Sequence, residues 1–194
     1  NVYSDRMNQG AFYTQVFNLM TKLPAEIRGE STILNDLDTL TLVSIQNNDL
    51  ANIYGAFGAT KFKFTNRLEL TSTFTFTKAH YADKAEPVGH IPPLYGMSSL
   101  SYKDRKIKYS LYSRFNSKKR WDDFNSLVDN PDESVIGFGS PAWITLNASI
   151  FIYLNSSLKI QIAGENLFDA HYKTFSSGIS APGRNLIASV YFKY

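Results

Sequence analysis

The chain has 194 residues with a formal net charge of +3, and it is 43% hydrophobic and 14% aromatic. This much apolar and aromatic side chain excludes a disordered segment, and the absence of cysteine excludes a disulfide framework and a thiolate metal site. The charge is mild and scattered along the chain, so nucleic acid is not expected as a partner, and the length is that of one domain or two at most.

A period-two alternation of apolar and polar residues predicts eight β-strands. In chain order they cover approximately residues 11–22, 51–64, 67–78, 94–102, 107–116, 144–154, 158–163 and 186–194. The third strand is the most regular, with Leu68, Leu70 and Phe74 on one face and a run of threonines on the other. The fold class is therefore predicted to be all-β.

The predicted connections alternate between short and long. Residues 65–66, 103–106 and 154–157 form the short ones, whereas residues 24–49, 82–93, 117–142 and 169–183 form the long ones. An antiparallel up-and-down sheet places all short turns at one end, as in outer-membrane barrels with short periplasmic turns and longer extracellular loops. Strands of about 9–11 residues also suit a tilted membrane crossing. A soluble sandwich with an aromatic core is the alternative.

Aromatic residues near the predicted strand ends suggest two interfacial girdles. The short-turn girdle would contain Tyr153, Phe192, Tyr194, Phe62, Phe64 and Tyr102, and the long-loop girdle Tyr81, Tyr95, Trp143 and Tyr172.

Four segments carry a family resemblance. Near the end, Asn166-Leu-Phe-Asp169, Tyr172, Ser177-Gly-Ile179 and Pro182-Gly-Arg-Asn185 precede a last strand that ends in an aromatic residue. Further segments are residues 52–59 (NIYGAFGA), 86–96 (EPVGHIPPLYG) and 129–147 (DNPDESVIGFGSPAWITLN). Together they resemble, in the right order, the C-terminal part of TonB-dependent outer-membrane receptors.

The resemblance implies a transmembrane barrel of 22 strands with a plugged lumen. Residues 1–194 would supply its last eight strands, and the plug domain and earlier strands would be missing from the chain. Phe57 departs from the pattern, because the family often has Glu at that position, and this puts the local facing of the strand in doubt.

Two motifs near the C-terminus also have a physical reading. Asp169 fits a strand exit at which side chain and backbone bond locally, and Pro182-Gly183 fits a sharp turn in which glycine permits a positive φ. By resemblance, the series Leu186, Ala188, Val190, Phe192 and Tyr194 is expected to be the signal read by the barrel-assembly machinery.

No catalytic, cofactor or metal site is predicted. His80, His90 and His171 lie apart in the sequence, and zinc needs a closer constellation of ligands. The acidic group Asp122, Asp123, Asp129, Asp132 and Glu133 could hold calcium, but a solvated loop is the favoured reading.

A basic and aromatic group is the candidate contact site. Arg114 precedes it, and Lys118, Lys119, Arg120 and Trp121 form it at the base of the longest loops. Guanidinium and ammonium groups suit an anionic ligand or the phosphates of lipopolysaccharide, and a hydrated loop rim is the alternative reading.

The function implied by the resemblance is energy-coupled import of a scarce nutrient, such as an iron–siderophore complex or vitamin B12, across the outer membrane of a Gram-negative bacterium. The implied partners are the small-molecule nutrient, the inner-membrane TonB energy-coupling protein and outer-membrane lipids. The protein would not be an enzyme, since an outer-membrane lipid hydrolase would need a neighbouring Ser and His that the sequence does not offer. The other alternative is an independent eight-stranded barrel with an adhesin or structural role.

Overall fold

The computed structural model describes residues 3–35, 38–82, 86–125, 127–129 and 137–193. Ten strands occur in these ranges: β1 (Tyr3–Pro24), β2 (Thr32–Asn35), β3 (Asp38–Thr41), β4 (Val43–Lys63), β5 (Leu68–Tyr81), β6 (Tyr95–Lys103), β7 (Ile107–Asn116), β8 (Trp143–Tyr153), β9 (Leu158–Glu165) and β10 (Asn185–Phe192). In the same ranges a 3₁₀ turn covers Trp121–Asp123.

Eight of these strands form one antiparallel sheet in the order β1-β4-β5-β6-β7-β8-β9-β10, which is the predicted up-and-down arrangement. The sheet is open in the described residues, because β1 pairs only with β4 and β10 only with β9. The connections alternate as predicted between short turns (64–67, 104–106 and 154–157) and long segments (25–42, 82–94, 117–142 and 166–184).

The first long connection differs from the prediction. It was expected to be loop from residue 24 to 49, but β1 and β4 remain paired up to Pro24 opposite Val43, and β2 and β3 form a small two-stranded sheet beyond them. This stretch lacks clean alternation. Pairing between β1 and β4, rather than the pattern within either strand, keeps the backbone extended here.

The register joins the apolar faces of neighbouring strands into one band. One row across the sheet, each residue opposite the next, consists of Leu70, Leu100, Leu111, Ala148, Gly164 and Leu186. The band is exposed, with Leu111 at 47% and Leu186 at 79% relative accessibility.

The opposite face is polar and more deeply buried. On β8 the exposed fractions of Thr145, Asn147 and Ser149 are only 2%, 4% and 6%. Water-soluble proteins bury their apolar side chains, whereas a membrane barrel turns its apolar band outward and its polar face inward. The sheet therefore has the inverted arrangement of an outer-membrane barrel wall.

Phe57 lies on this polar face, since its register partner is Thr75. A Cβ atom on Gly10, its partner on β1, would lie 2.7 Å from the Phe57 ring. The aromatic ring thus covers the glycine at the position that the resemblance assigns to a luminal charge.

The predicted girdle at the long-loop end is wrong for three residues. Tyr81 is 2% exposed, and the register places Tyr95 opposite Thr75 and Trp143 opposite Asn116, on the polar face. The prediction used distance from the strand end, but a girdle also requires the outward-facing alternate position. At the short-turn end, Tyr102 does lie on the apolar face, opposite Leu68 and Tyr109, but Tyr153 lies on the polar face, opposite Lys159, so the prediction is wrong for Tyr153 too.

Among the described residues, the helical content includes no segment with the length and hydropathy required to cross a membrane.

Candidate functional site

Lys119 is the centre of the long-loop end of the sheet. It follows β7, and its backbone N–H donates to the Ser140 carbonyl at 3.1 Å, which joins the two ends of the 117–142 connection. Its side chain is 3% exposed, and Nζ donates to the Ile91 carbonyl at 2.9 Å and to Asp129 Oδ2 at 3.3 Å. One ammonium group therefore contacts two long connections, residues 82–94 before β6 and residues 117–142 after β7.

Two aromatic rings complete the environment of this ammonium. Lys119 Nζ lies 4.3 Å from the ring centroid of Phe124 and 4.4 Å from that of Phe175. Phe175 belongs to the 166–184 connection, so three long connections meet here. Burial lowers the pKa of Lys119, and the neighbouring Asp129 charge opposes this shift.

Asp129, the ion-pair partner of Lys119, also links the 82–94 and 117–142 connections. Its side chain is 2% exposed and accepts hydrogen bonds from the backbone N–H groups of His90 and Asn125. The Asn125 side-chain amide donates to the Pro87 carbonyl at 3.0 Å. We call Lys119, Asp129, Asn125, Phe124 and Phe175 the loop hub.

A second polar cluster closes the 166–184 connection. Asn166 is 3% exposed, and its backbone N–H donates to Asn147 Oδ1 on β8 at 2.8 Å. The Asn166 amide donates to the carbonyls of Ala170 at 2.8 Å and Pro182 at 3.3 Å, and Asp169 Oδ1 accepts from Arg184 N–H at 2.7 Å. The Asn166-to-Asp169 motif thus holds both ends of the connection together.

The local bond expected for Asp169 and the positive φ expected at Gly183 are both wrong. Asp169 bonds across the connection to Arg184, in contrast to the local bond that was expected. Gly183 does not have a positive φ; a Cβ at this position would lie 2.7 Å from Asp169 Oδ1, so the carboxylate that accepts from Arg184 would have to move.

A cavity of about 100 Å³ lies between the long-loop end of β5 and the loop hub. Apolar side chains supply much of its wall, and lysines and Asp123 supply its charges; the lining includes Phe76, Val88, Ile91, Lys78, Lys118 and Lys119. Lys78 Nζ is 2.7 Å from Asp123 Oδ1. The space can accept a small polar or amphipathic group.

The predicted contact residues have different surroundings. Lys118 is exposed and lines the cavity, and Arg120 is exposed and pairs with the equally exposed Asp122 at 3.0 Å. Trp121 stacks on Phe124 with ring centroids 5.9 Å apart, and Arg114 is exposed on β7 between Met97 and Thr145. Lys119 alone is turned inward.

Sequence reasoning missed the partners of Lys119. Phe175 and the Ile91 carbonyl are distant in the chain and carry no motif that points to a lysine. Ligand contact by Arg114, Lys118, Lys119, Arg120 and Trp121 stays a prediction. So does the assembly signal: Leu186, Ala188, Val190 and Phe192 lie exposed on the apolar face of β10, whereas Tyr194 lies outside the described residues.

The acidic residues that were considered for calcium are separated by their basic partners. Asp122 pairs with Arg120, Asp123 with Lys78 and Asp129 with Lys119, while Asp132 and Glu133 lie outside the described residues. In the ranges that the structure describes, no three His, Asp or Glu side chains form a group able to hold a metal ion. His80 packs against Tyr54, and His171 hydrogen-bonds to Ser180.

No protein-family model and no curated protein matches the chain. Solved structures do match it, among them TonB-dependent outer-membrane receptors. The copper transporter OprC matches with a TM-score of 0.77 at 14% identity, over 98% of this chain and 29% of that one. The siderophore receptor PirA from Acinetobacter baumannii matches with a TM-score of 0.68 at 14% identity, over 98% of this chain and 30% of that one. The FrpB iron transporter from Neisseria meningitidis has a TM-score of 0.68 at 12% identity, over 97% of this chain and 29% of that one.

These matches establish the fold. The chain has the architecture of one part of the barrel wall of such receptors, and it spans under a third of their length.

Proposed function

We propose that the chain is part of a TonB-dependent receptor in the outer membrane of a Gram-negative bacterium, where it helps to import a scarce nutrient. The observation that carries this proposal is the inverted sheet, which is apolar on one face and polar on the other. It matches the structure of a transporter barrel over 98% of this chain. The long connections gathered by the loop hub supply a ligand-facing surface on a rigid wall.

The nutrient that we favour is a metal complex. Receptors and transporters for siderophores, iron and copper are among the proteins whose fold the chain shares. An iron–siderophore complex therefore comes first, copper second, and vitamin B12, which the resemblance alone suggests, third. Uptake would be coupled to the inner-membrane TonB protein, and the described residues contribute wall and loops to it, with no catalytic role.

Growth of a deletion strain tests the proposal. We expect a defect on ferric siderophores as the only iron source, restored by the intact gene, with normal growth on ferrous iron. A defect confined to low copper or to cobalamin-dependent growth would change the nutrient, and unchanged growth on all three sources would contradict transport of these ligands.

The predicted contact residues are tested in the same strain. Replacing Lys118 and Arg120 by Ser removes two exposed bases and leaves Lys119 in the hub. We expect weaker uptake, seen as a higher substrate concentration for half-maximal rate, whereas Lys22→Ser with Arg28→Ser, a matched loss of charge on the β1–β4 side, leaves uptake unchanged. Equal uptake by both variants would remove the contact role.

A further inference from the structure

Charge is distributed unevenly between the two ends of the sheet. Ten of the 20 Lys and Arg residues, but three of the 17 Asp and Glu residues, lie at the short-turn end, in residues 1–7, 60–72, 101–110, 151–160 and 190–194. That end therefore carries a formal charge of +7, and the rest of the chain, with ten bases and 14 acids, carries −4. The net charge of +3 conceals a strongly basic end.

The three acids at this end leave most of the positive charge unbalanced. Glu69 pairs with Lys61 at 2.9 Å. Asp104, in the turn between β6 and β7, lies 3.3 Å from Arg67 Nη1. The third acid, Asp5, belongs to β1, which β4 and β5 separate from that turn.

Two neighbouring turns carry three of these bases. The turn between β4 and β5 is joined to the turn between β6 and β7, because the Lys103 N–H donates to the Arg67 carbonyl at 2.8 Å. Arg105 and Lys106 are exposed in the second turn, and no described carboxylate forms an ion pair with either of them. We call Arg67, Arg105 and Lys106 the turn patch.

The turn patch lies at the edge of the apolar band. Tyr102 on β6 and Tyr109 on β7 lie opposite each other on the apolar face, with ring centroids 6.5 Å apart. Arg67 Nη1 is 3.5 Å from the Tyr102 hydroxyl oxygen. Tyrosines at the ends of lipid-facing segments lie at the level of the lipid headgroups. The Arg67 guanidinium is therefore at the depth of lipid phosphates.

This position selects the kind of anion. Guanidinium and ammonium groups suit phosphate oxygens, and neighbouring bases at a membrane surface add to one another's attraction for anionic lipids. A soluble anion at three exposed bases is screened by water and salt. A lipid is instead held against the apolar band by its acyl chains, so that its headgroup is already concentrated beside the patch.

We propose that the turn patch binds the headgroup of an anionic phospholipid in the periplasmic leaflet of the outer membrane, the leaflet at which short barrel turns lie. This proposal rests on the outer-membrane barrel proposed above, but it is independent of which nutrient is transported.

The test uses the intact protein that carries this chain, reconstituted into phosphatidylcholine vesicles. The vesicles contain a small fraction of photoreactive phosphatidylglycerol or, in a parallel sample, of photoreactive phosphatidylcholine. Mass spectrometry measures the labelling of peptides that contain residues 64–68 and 102–107. We expect stronger labelling by phosphatidylglycerol, and the ratio of the two labels should fall about fivefold for each base removed in Arg105→Gln and in Arg105→Gln with Lys106→Gln.

The variants keep Arg67, so that Asp104 retains its partner. The matched control, Lys22→Gln with Arg28→Gln, removes two exposed bases at the long-loop end and should leave the ratio unchanged. Folding of each variant is checked by its heat-modifiable migration on gels. Equal labelling by the two lipids, or an unchanged ratio in the double variant, would overturn the proposal.

Two further measurements separate the levels of inference. Loss of the preference in an excess of soluble glycerol phosphate would mean that the patch binds the free anion, and would also overturn the lipid assignment. A photoreactive group on the acyl chain should label Leu186 and Val190 on the apolar face, whichever headgroup carries it. Absence of this label would contradict the membrane wall itself, whereas acyl labelling without a headgroup preference would contradict the turn patch alone.

Discussion

Lys119 and Arg120 are neighbours in the chain with the same charge but opposite surroundings. Lys119 is 3% exposed within the loop hub, whereas Arg120 is 75% exposed beside Asp122. A buried ion pair that loses one partner leaves an uncompensated charge, but an exposed pair contributes little to stability. Substitutions at the two positions should therefore have very different effects.

Replacing Lys119 by Met should loosen at once the three long connections that meet at the loop hub. Asp129 would remain buried without its cation, a loss of about 3–5 kcal/mol for a buried pair. Protease cleavage in residues 86–94, 117–129 and 169–183, followed by mass spectrometry, measures the opening. The double variant Lys119→Met with Asp129→Asn should recover part of the protection, and Arg120→Met should change none of it. Cleavage confined to one connection would contradict the hub.

Two glycines provide a matched pair for backbone strain. Gly137 and Gly139 have φ values of 76° and 77°, a region that costs other residues about 1–2 kcal/mol. A Cβ on Gly139 would clash with the Lys119 carbonyl oxygen, whereas a Cβ on Gly137 would have no described atom within 4 Å apart from its chain neighbours. Gly139→Ala should therefore increase cleavage at the hub much more than Gly137→Ala. Equal effects would mean that φ alone matters.

At the scale of the element, alternation predicts strands best where both faces have a fixed environment. β5, β8 and β10 were predicted closely, since apolar and polar residues alternate along most of each strand. The outer half of β4, residues 43–50, was missed because it has no third strand beside it, and residues 3–10 of β1 were missed as well. Beyond Ala51 opposite Tyr81, β4 pairs only with β1. The hub was also beyond sequence reasoning, because it depends on where distant connections meet.

Neighbouring positions on β6 test the facing of the strand. Leu100 is in the apolar band and Ser99 on the polar face. Leu100→Lys should reduce the free energy of unfolding from lipid vesicles by about 2–4 kcal/mol, which is the cost of a lysine near the bilayer midplane. Ser99→Lys should reduce it far less. Guanidinium titrations of vesicle-folded protein measure both values. A greater loss for Ser99→Lys would reverse the assignment of the faces.

At the scale of the whole molecule, the open sheet leaves two rows of backbone groups without partners among the described residues, on the outer edges of β1 and β10. Unsatisfied backbone groups are costly in hydrocarbon and are templates for pairing with another strand. In the proposed receptor, further wall would continue at these edges; the chain spans under a third of the length of the structures that it matches.

Hydrogen exchange of the 194-residue chain in detergent micelles should distinguish the unpaired edges of β1 and β10 from the strands that are paired on both sides. Amides within β5 to β9, which have a strand on each side, should exchange slowly, since both sides of each strand are paired. On β1 and β10, the amides that point to the free edge should exchange about as fast as those of the connections, and the alternate amides that bond to β4 and β9 should be protected. Adding a chain that carries further strands of the same barrel should protect the edge amides and leave β5 to β9 unchanged. Uniform protection of β1 and β10 in the chain alone would mean that the sheet closes on itself, and would favour an independent eight-stranded barrel over a part of a larger wall.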